Sequence, residues 1–161
     1  MPLAVRAAIF TFLLPGTATV VIPAVLLGAG AEIYSFDLGG IRAFGAIAML
    51  LGAGLILWCI ADFATVGRGT LAPVDAPTTL VMTGPYQFVR NPMYVAVLII
   101  VAGETVFFAS VTLVLYTILL AIAFHNFIVR VEEPSLVRTF GAHYLQYCRA
   151  VPRWWPNLSR S

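Results

Sequence analysis

Apolar positions in this chain run on where a half-buried strand would alternate them. Residues 7–27 carry no charge, residues 43–61 carry none before Asp62, and from Pro92 to Val129 the only formal charge is Glu104. A helix crossing a hydrocarbon core of about 30 Å needs roughly 20 mostly apolar residues, so each of the first two runs predicts a membrane span. The third is too long for one span, since at 1.5 Å per residue it would reach about 57 Å. It must fold back. The turn is placed at Ala109-Ser110, which gives spans over 93–108 and 111–131.

The pattern then changes period. After Glu132-Glu133-Pro134, the positions Leu136, Phe140, Tyr144 and Tyr147 recur at helical spacing and predict one amphipathic helix over 135–148, with Pro134 in its first turn. The paired Trp154-Trp155 suit a return to the headgroup region. The expected fold is all-α: an integral membrane bundle of about four transmembrane helices, the last two a tight hairpin, followed by a cytoplasmic amphipathic helix, all in one domain over residues 1–161.

Punctuation inside the runs refines this. Pro15-Gly16 and Pro23 predict a kink in the first span, and Gly45, Gly52 and Gly54 with Ala46, Ala48 and Ala53 offer the second span a small-residue face for close packing. The 67–91 connection is too polar and too rich in Pro and Gly to span. At about 25 residues it is long for a helix connection, and its apolar stretches, Thr79-Leu80-Val81-Met82 and Tyr86-Gln87-Phe88-Val89, predict an ordered loop lying on the bundle, turned by Gly84-Pro85.

Composition agrees with lipid burial: 61% of residues are hydrophobic and 10% charged, against about 25% charged in a soluble domain. Every basic residue is Arg. On this topology Arg6, Arg68, Arg90, Arg130, Arg138, Arg149, Arg153 and Arg160 share one side and Arg42 alone takes the other, which places both termini in the cytoplasm, with a bacterial inner membrane the expected location. The net charge of +2 therefore reports orientation, and no nucleic-acid partner is expected. Arg6 and Leu27-Gly28-Ala29-Gly30-Ala31 also have elements of a secretory leader, but the apolar run exceeds a leader's core and is read as a span. Cys59 and Cys148 are not positioned to pair, and two histidines without metal-ligand spacing predict no metal site.

Candidate chemistry gathers where the spans meet the cytoplasm. Thr83-Gly84-Pro85-Tyr86 and Arg90-Asn91-Pro92-Met93-Tyr94 flank the entry to the third span, and His125, Arg130, Glu132 and Glu133 close the fourth, so a tight hairpin brings all of them to one membrane face. Asn91 and Pro92 suit a helix N-terminus, with Asn91 as its cap, and such an end can hold a ligand carboxylate. Glu132 and Glu133, beside Arg130, can accept hydrogen bonds from a ligand ammonium or ribose. The competing interpretation of these charges is interface anchoring and a salt bridge. His125 is read as packing or a structural hydrogen bond, and Glu104 as a solvated interfacial residue.

On Leu80-Val81-Met82-Thr83-Gly84-Pro85-Tyr86, Val89-Arg90-Asn91-Pro92-Met93-Tyr94, Glu132-Glu133, Leu136, Phe140-Gly141, Tyr144, Tyr147 and Val151-Pro152, the chain resembles the isoprenylcysteine carboxyl methyltransferase and phospholipid methyltransferase superfamily. The resemblance covers roughly the last 80 residues. It implies a methyltransferase that uses S-adenosylmethionine on a membrane-borne acceptor, a lipophilic small molecule or lipid-modified carboxylate or amine. Carried over by position, Thr78, Thr79, Leu80, Val81, Tyr86, Asn91, Pro92, Met93, Tyr94 and Glu132 would contact the cofactor with Glu133 in support, and Arg90, Arg130 and Glu132 would serve catalysis. Two departures stand out. Asn91 replaces the family's usual His, which excludes a base there, and Ile128 holds the place of a substrate-facing Arg in the eukaryotic prenylcysteine enzymes. The alternatives are an NADPH-dependent membrane reductase of sterol-reductase-like architecture and a non-enzymatic accessory subunit.

Overall fold

The computed structural model describes residues 15–28, 38–62, 65 and 80–156, which are helical almost throughout. The first part of the first predicted span, most of the 63–79 connection, Thr78, Thr79 and the end of the tail lie outside the described residues.

The first described segment widens into a π-helical turn over Thr17–Val21 before α1, Ile22–Gly28. Pro23 has no N–H to offer the preceding turn, and the wider Ile22 N–H to Thr17 O bond absorbs the mismatch, as π-bulges do in kinked helices. Thr19 Oγ1 donates to Pro15 O at 2.8 Å in the same stretch. The kink expected from Pro15-Gly16 and Pro23 takes this form.

A short 3-10 turn, Gly39–Ile41, leads into α2, Arg42–Asp62. A second, Gly84–Gln87, precedes α3, Pro92–Phe108, and α4 covers Val111–Phe127. Between α3 and α4 the chain reverses at Ala109, whose φ of 54° and ψ of 43° are left-handed, and Ser110, whose side chain accepts from Leu113 N–H at 3.2 Å. Thr105 and Thr117 hydroxyls meet at 3.1 Å one turn deeper and hold the arms of the hairpin together.

The closest helix contact is between α2 and α3. A Cβ on Gly45 would lie 2.5 Å from Gly103 O, one on Gly103 would lie 2.7 Å from Gly45 O, and one on Gly52 would lie 2.8 Å from Ala96 O. Glycine at these places lets backbones touch where lipid supplies no hydrophobic drive to pack. Gly54 points to open space and takes no part in that seam.

Two stretches, Gly39–Asp62 and Val111–Phe140, are long and apolar enough to cross a membrane, and only 17% of the most apolar window in each is buried within the protein. A core helix of a soluble protein would be mostly buried. Here Phe44, Leu50, Leu57 and Leu119 point outward, more than 60% exposed. The shorter apolar helices Thr17–Gly28 and Pro92–Phe108 complete the bundle.

Three expectations need correction. Beyond Phe127 the chain stays helical through a π-helical turn, Ile128–Glu132, into α5, Glu133–Phe140, so the fourth apolar helix and the amphipathic segment are continuous. The amphipathic segment is itself two helices, α5 and α6, Ala142–Ala150, broken at Gly141, whose φ of 54° and ψ of −127° only glycine adopts readily. Glu104 is not solvated: it is 6% exposed, on the face of α3 that carries Val97 and Val101, one helical turn beyond Val101.

Candidate functional site

The end of the hairpin opposite the Ala109-Ser110 turn is assembled from residues far apart in sequence. Pro92 is fully buried at the first turn of α3, and Asn91 O accepts from Val95 N–H. The Asn91 side chain does not cap this helix as expected. Its Nδ2 donates to Arg153 O at 3.1 Å, because the tail after α6 runs alongside, where Arg90 N–H donates to Pro152 O at 2.9 Å.

One turn into α3, Tyr94 Oη donates to Glu132 Oε2 at 2.6 Å, which joins the two helices of the hairpin directly above Phe124, whose ring meets Tyr94 edge to face at 4.8 Å. Burial pushes the Glu132 carboxyl above the ordinary range; the Tyr94 hydrogen bond opposes this and the neighbouring Glu133 charge adds to it.

Glu133 has the opposite electrostatics. Burial raises its carboxyl, but hydrogen bonds from Arg153 and the charges of Arg90 and Arg153 outweigh that and hold it below the usual carboxylate range. Arg153 is bidentate, Nε to Oε1 at 2.7 Å and Nη2 to Oε2 at 2.8 Å, and Arg90 Nη1 lies 3.0 Å from Oε1. Arg90 also donates to Cys148 Sγ, while its Nε is a buried donor without a hydrogen-bond partner among the described residues. Two guanidiniums against one carboxylate leave this cluster one positive charge in excess.

Leu80, Val81, Tyr86 and Met93 form its floor. Val81 and Tyr86 are buried against Cys59 of α2 with Met93 and Leu55 beside them, and Leu80 packs on Tyr144, Tyr147 and Val151. Tyr147 Oη donates to Tyr86 O at 2.7 Å, and burial pushes both phenols above their ordinary value. Gly84 adopts a φ of 51° and sits so close to Asp62 that a Cβ would collide with that carboxylate, whose Oδ2 accepts from Thr83 Oγ1 at 3.3 Å.

The hairpin therefore brings together Leu80, Val81, Tyr86, Arg90, Asn91, Pro92, Met93, Tyr94, Glu132 and Glu133. Arg130 is not among them. It is exposed on the π-helical turn and pairs with neither glutamate among the described residues, where Arg90 and Arg153 hold Glu133. Arg153 and Cys148 are the residues that sequence reasoning passed over. Neighbouring Val151-Pro152 was the available signal, since it fixes the path of the tail. His125 Nδ1 accepts from Trp154 Nε1 at 3.3 Å, the structural hydrogen bond expected of it. Two open concavities adjoin the cluster without including Tyr94 or Glu132. One of about 430 Å³ lies between Gln87, Phe88 and His143, Gln146 of α6, and one of about 340 Å³ lies between α3, α4 and Trp154.

A family model described as phospholipid methyltransferase matches residues 41–143, from the turn before α2 through both glutamates into α6. The chain belongs to the phospholipid methyltransferase family. It is a membrane protein of a methyltransferase family, within the superfamily whose motifs its second half carries. Two relatives are named for metal resistance. The nickel-cobalt-cadmium resistance protein NccN of Alcaligenes xylosoxydans xylosoxydans is 35% identical over 102 residues, covering 60% of this chain and 46% of its own length. The cobalt-zinc-cadmium resistance protein CzcN of Cupriavidus metallidurans is 33% identical over 104 residues, covering 61% and 46%. The chain thus matches a little under half the length of either relative. Among the described residues no group of three or more His, Cys, Asp or Glu converges as a metal site.

Proposed function

We propose that this protein is a methyltransferase that binds S-adenosylmethionine at the Tyr94–Glu132 junction and methylates a membrane-borne acceptor. The observation that carries the proposal is the 2.6 Å bond between Tyr94 and Glu132, which sets a carboxylate and an aromatic ring side by side within the segment the family model matches. Bound there, the cofactor supplies an electrophilic methyl group on a sulfonium.

The donor set fits such a ligand. Its amino-acid end carries a carboxylate, which suits the unpartnered Arg90 Nε and the N-terminus of α3 after Asn91 and Pro92. Its ammonium or ribose suits Glu132 as acceptor. An aromatic face near a cation contributes about 0.5–2 kcal/mol, a role open to Tyr94 and Tyr86. Thr78 and Thr79 are assigned to the adenine edge by resemblance alone. Glu133 stays ionised by its two arginines and works as a brace that fixes Arg90. Glu132 has the raised proton affinity, so for an amine acceptor it is the group suited to take up the released proton. A carboxylate acceptor needs no base, only alignment and exclusion of water. Arg130 is dropped from the anionic side of the site in favour of Arg90 and Arg153.

The test is calorimetric titration of the purified protein with S-adenosylhomocysteine, with NADPH in a parallel cell. Saturable binding of the first alone, lost in Glu132→Gln and Tyr94→Ala while both variants remain helical in detergent, is the expected result. Binding of NADPH alone, or normal affinity in both variants, would overturn the proposal.

A further inference from the structure

Glu104 lies far from the cluster of charges, about 15 Å along α3 from Tyr94 and about 7 Å short of the reversal at Ala109. It is 6% exposed, and its Oε2 is buried with no hydrogen-bond partner among the described residues. The ion pairs among those residues use Glu133 instead. An ionisable side chain inside a membrane protein usually meets a partner or a water-filled space, and a carboxylate given neither takes up a proton instead of holding its charge in an apolar interior.

The described elements packed around Glu104 supply no cation. Its face of α3, with Val97 and Val101, packs on Ala18 of the first segment, Ile56 of α2 and Tyr116 of α4. From α2, Gly45 and Met49 meet the adjacent Gly103, and neither titrates. Arg42, one turn before Gly45, is exposed and is not paired with Glu104 among the described residues. The titratable group that does face the carboxyl there is Tyr116, whose phenol is within its electrostatic reach.

Tyr116 is already engaged. Its Oη donates to Ala18 O at 2.8 Å and ties α4 to the first segment. That carbonyl is available because Ile22 N–H, its usual helical partner, bonds Thr17 O in the π-helical turn. A phenol has one proton to donate. A neutral Glu104 leaves that proton on Ala18 O. An ionised Glu104 draws it away, since hydrogen bonds to a charged acceptor are roughly twice as strong as neutral ones.

We infer that Glu104 is a proton-binding site within the membrane, and that its proton keeps the Tyr116 hydroxyl on Ala18 O. As the pH rises the proton leaves to water, Tyr116 turns to the Glu104 carboxylate, and the first segment is untied from the hairpin. The proton is the ligand, and the π-helical turn is the element it holds in place. None of this uses the Tyr94–Glu132 junction, so the site stands or falls apart from the methyltransferase proposal.

Infrared spectra of the purified protein in detergent, without cofactor, are compared at about pH 6 and about pH 9, both above the ordinary glutamate value near 4.3. The carboxylic-acid C=O stretch of Glu104, read as wild type minus Glu104→Gln so that Glu132 cancels, should be present at the lower pH and gone at the higher. Glu104→Leu, also neutral, is the second reference where the amide variant does not fold. Hydrogen exchange of the 17–28 segment is then followed by mass spectrometry. At the higher pH the wild type should exchange about fivefold faster than Glu104→Gln, the order of one lost neutral hydrogen bond, and at the lower pH the two should match. Tyr116→Phe should exchange fast at both and erase the difference. An acid band at about pH 6 that is no weaker in either neutral variant overturns the proton site, and a band that persists at about pH 9 overturns its release. Equal exchange in wild type and Glu104→Gln at the higher pH, or a difference that survives Tyr116→Phe, overturns the tie to Ala18.

Discussion

The two ends of the α3–α4 hairpin are held by different kinds of bond. At the Ala109–Ser110 turn the polar groups find partners close by in sequence: Ser110 takes Leu113 N–H three residues on, and Thr105 reaches Thr117 across twelve. At the opposite end Tyr94 reaches Glu132 across 38 residues, Arg90 reaches Cys148 across 58, and Asn91 reaches Arg153 across 62. A turn satisfied locally is a structural device that forms with the helices. An end satisfied largely by the docked C-terminal tail is a place where the chain spends long-range order on a cluster of charges, and that cluster adjoins the proposed cofactor site.

The largest effect should come from removing the centre of the long-range cluster. Glu133→Ala leaves Arg90, whose side chain is 11% exposed, without its carboxylate, and breaking a buried pair by removing one member costs about 3–5 kcal/mol. Thermal unfolding in detergent should show it, and a loss no greater than that of an ordinary surface substitution would mean the tail does not hold this end together. The same residue gives a pH signature. Its carboxyl is held below the ordinary value near 4.3, so its stabilisation is fully present above about that pH and is lost as the pH falls through the lower, folded-state value. Glu132, raised, contributes with the opposite sign. Glu133→Gln should therefore flatten the acid limb of the melting curve, and an unchanged limb would rule out the ion pairs as its source.

Next comes the bond that links the site to both helices. Tyr94→Phe keeps the ring on Phe124 and removes only the hydroxyl, so a loss of about 1.5–3 kcal/mol, roughly 10–150-fold in S-adenosylhomocysteine affinity, isolates the contribution of the Tyr94–Glu132 contact. Equal affinity in the phenylalanine variant would restrict Tyr94 to packing.

Arg153 and Arg130 then form a matched pair. Arg153 is bidentate but 31% exposed, which discounts its contribution, and Arg153→Ala should cost about 1–2 kcal/mol of stability, against less than about 0.5 for Arg130→Ala. Equal losses would return Arg130 to the cluster.

This contrast also explains what the sequence made legible. Uninterrupted apolar runs exposed the helices, and length alone forced the reversal that falls at Ala109-Ser110. Tyr94 and the buried Pro92 were visible because their motif opens a helix, where spacing has geometric meaning, and Glu132 because a tight hairpin returns it to the same end. Arg153 was not, since nothing local connects the tail to Glu133, and Arg130 was favoured by its place in sequence beside the glutamates and near Ile128, whereas on the π-turn it is exposed. Glu104 was misread because charge near a span's end ordinarily faces water, whereas here the face bearing Val97 and Val101 continues over it. Gly141 was matched to the motif, yet helical spacing on either side masked its positive φ.

The smallest effect belongs to the local end. Ser110 caps α4 through a single hydrogen bond to Leu113 N–H, and Ser110→Ala should cost about 1 kcal/mol, the usual value for a lost N-cap. Because Ser110 and Leu113 are both buried, there is no water to replace the bond, which keeps the loss at that value instead of near zero. The substitution should lower the melting temperature and leave S-adenosylhomocysteine affinity untouched, for the cap is at the far end of a 17-residue helix from the glutamates. A change in affinity at this distance would show that the two ends of the hairpin are coupled, and the separation of a structural turn from a chemical end would then fail.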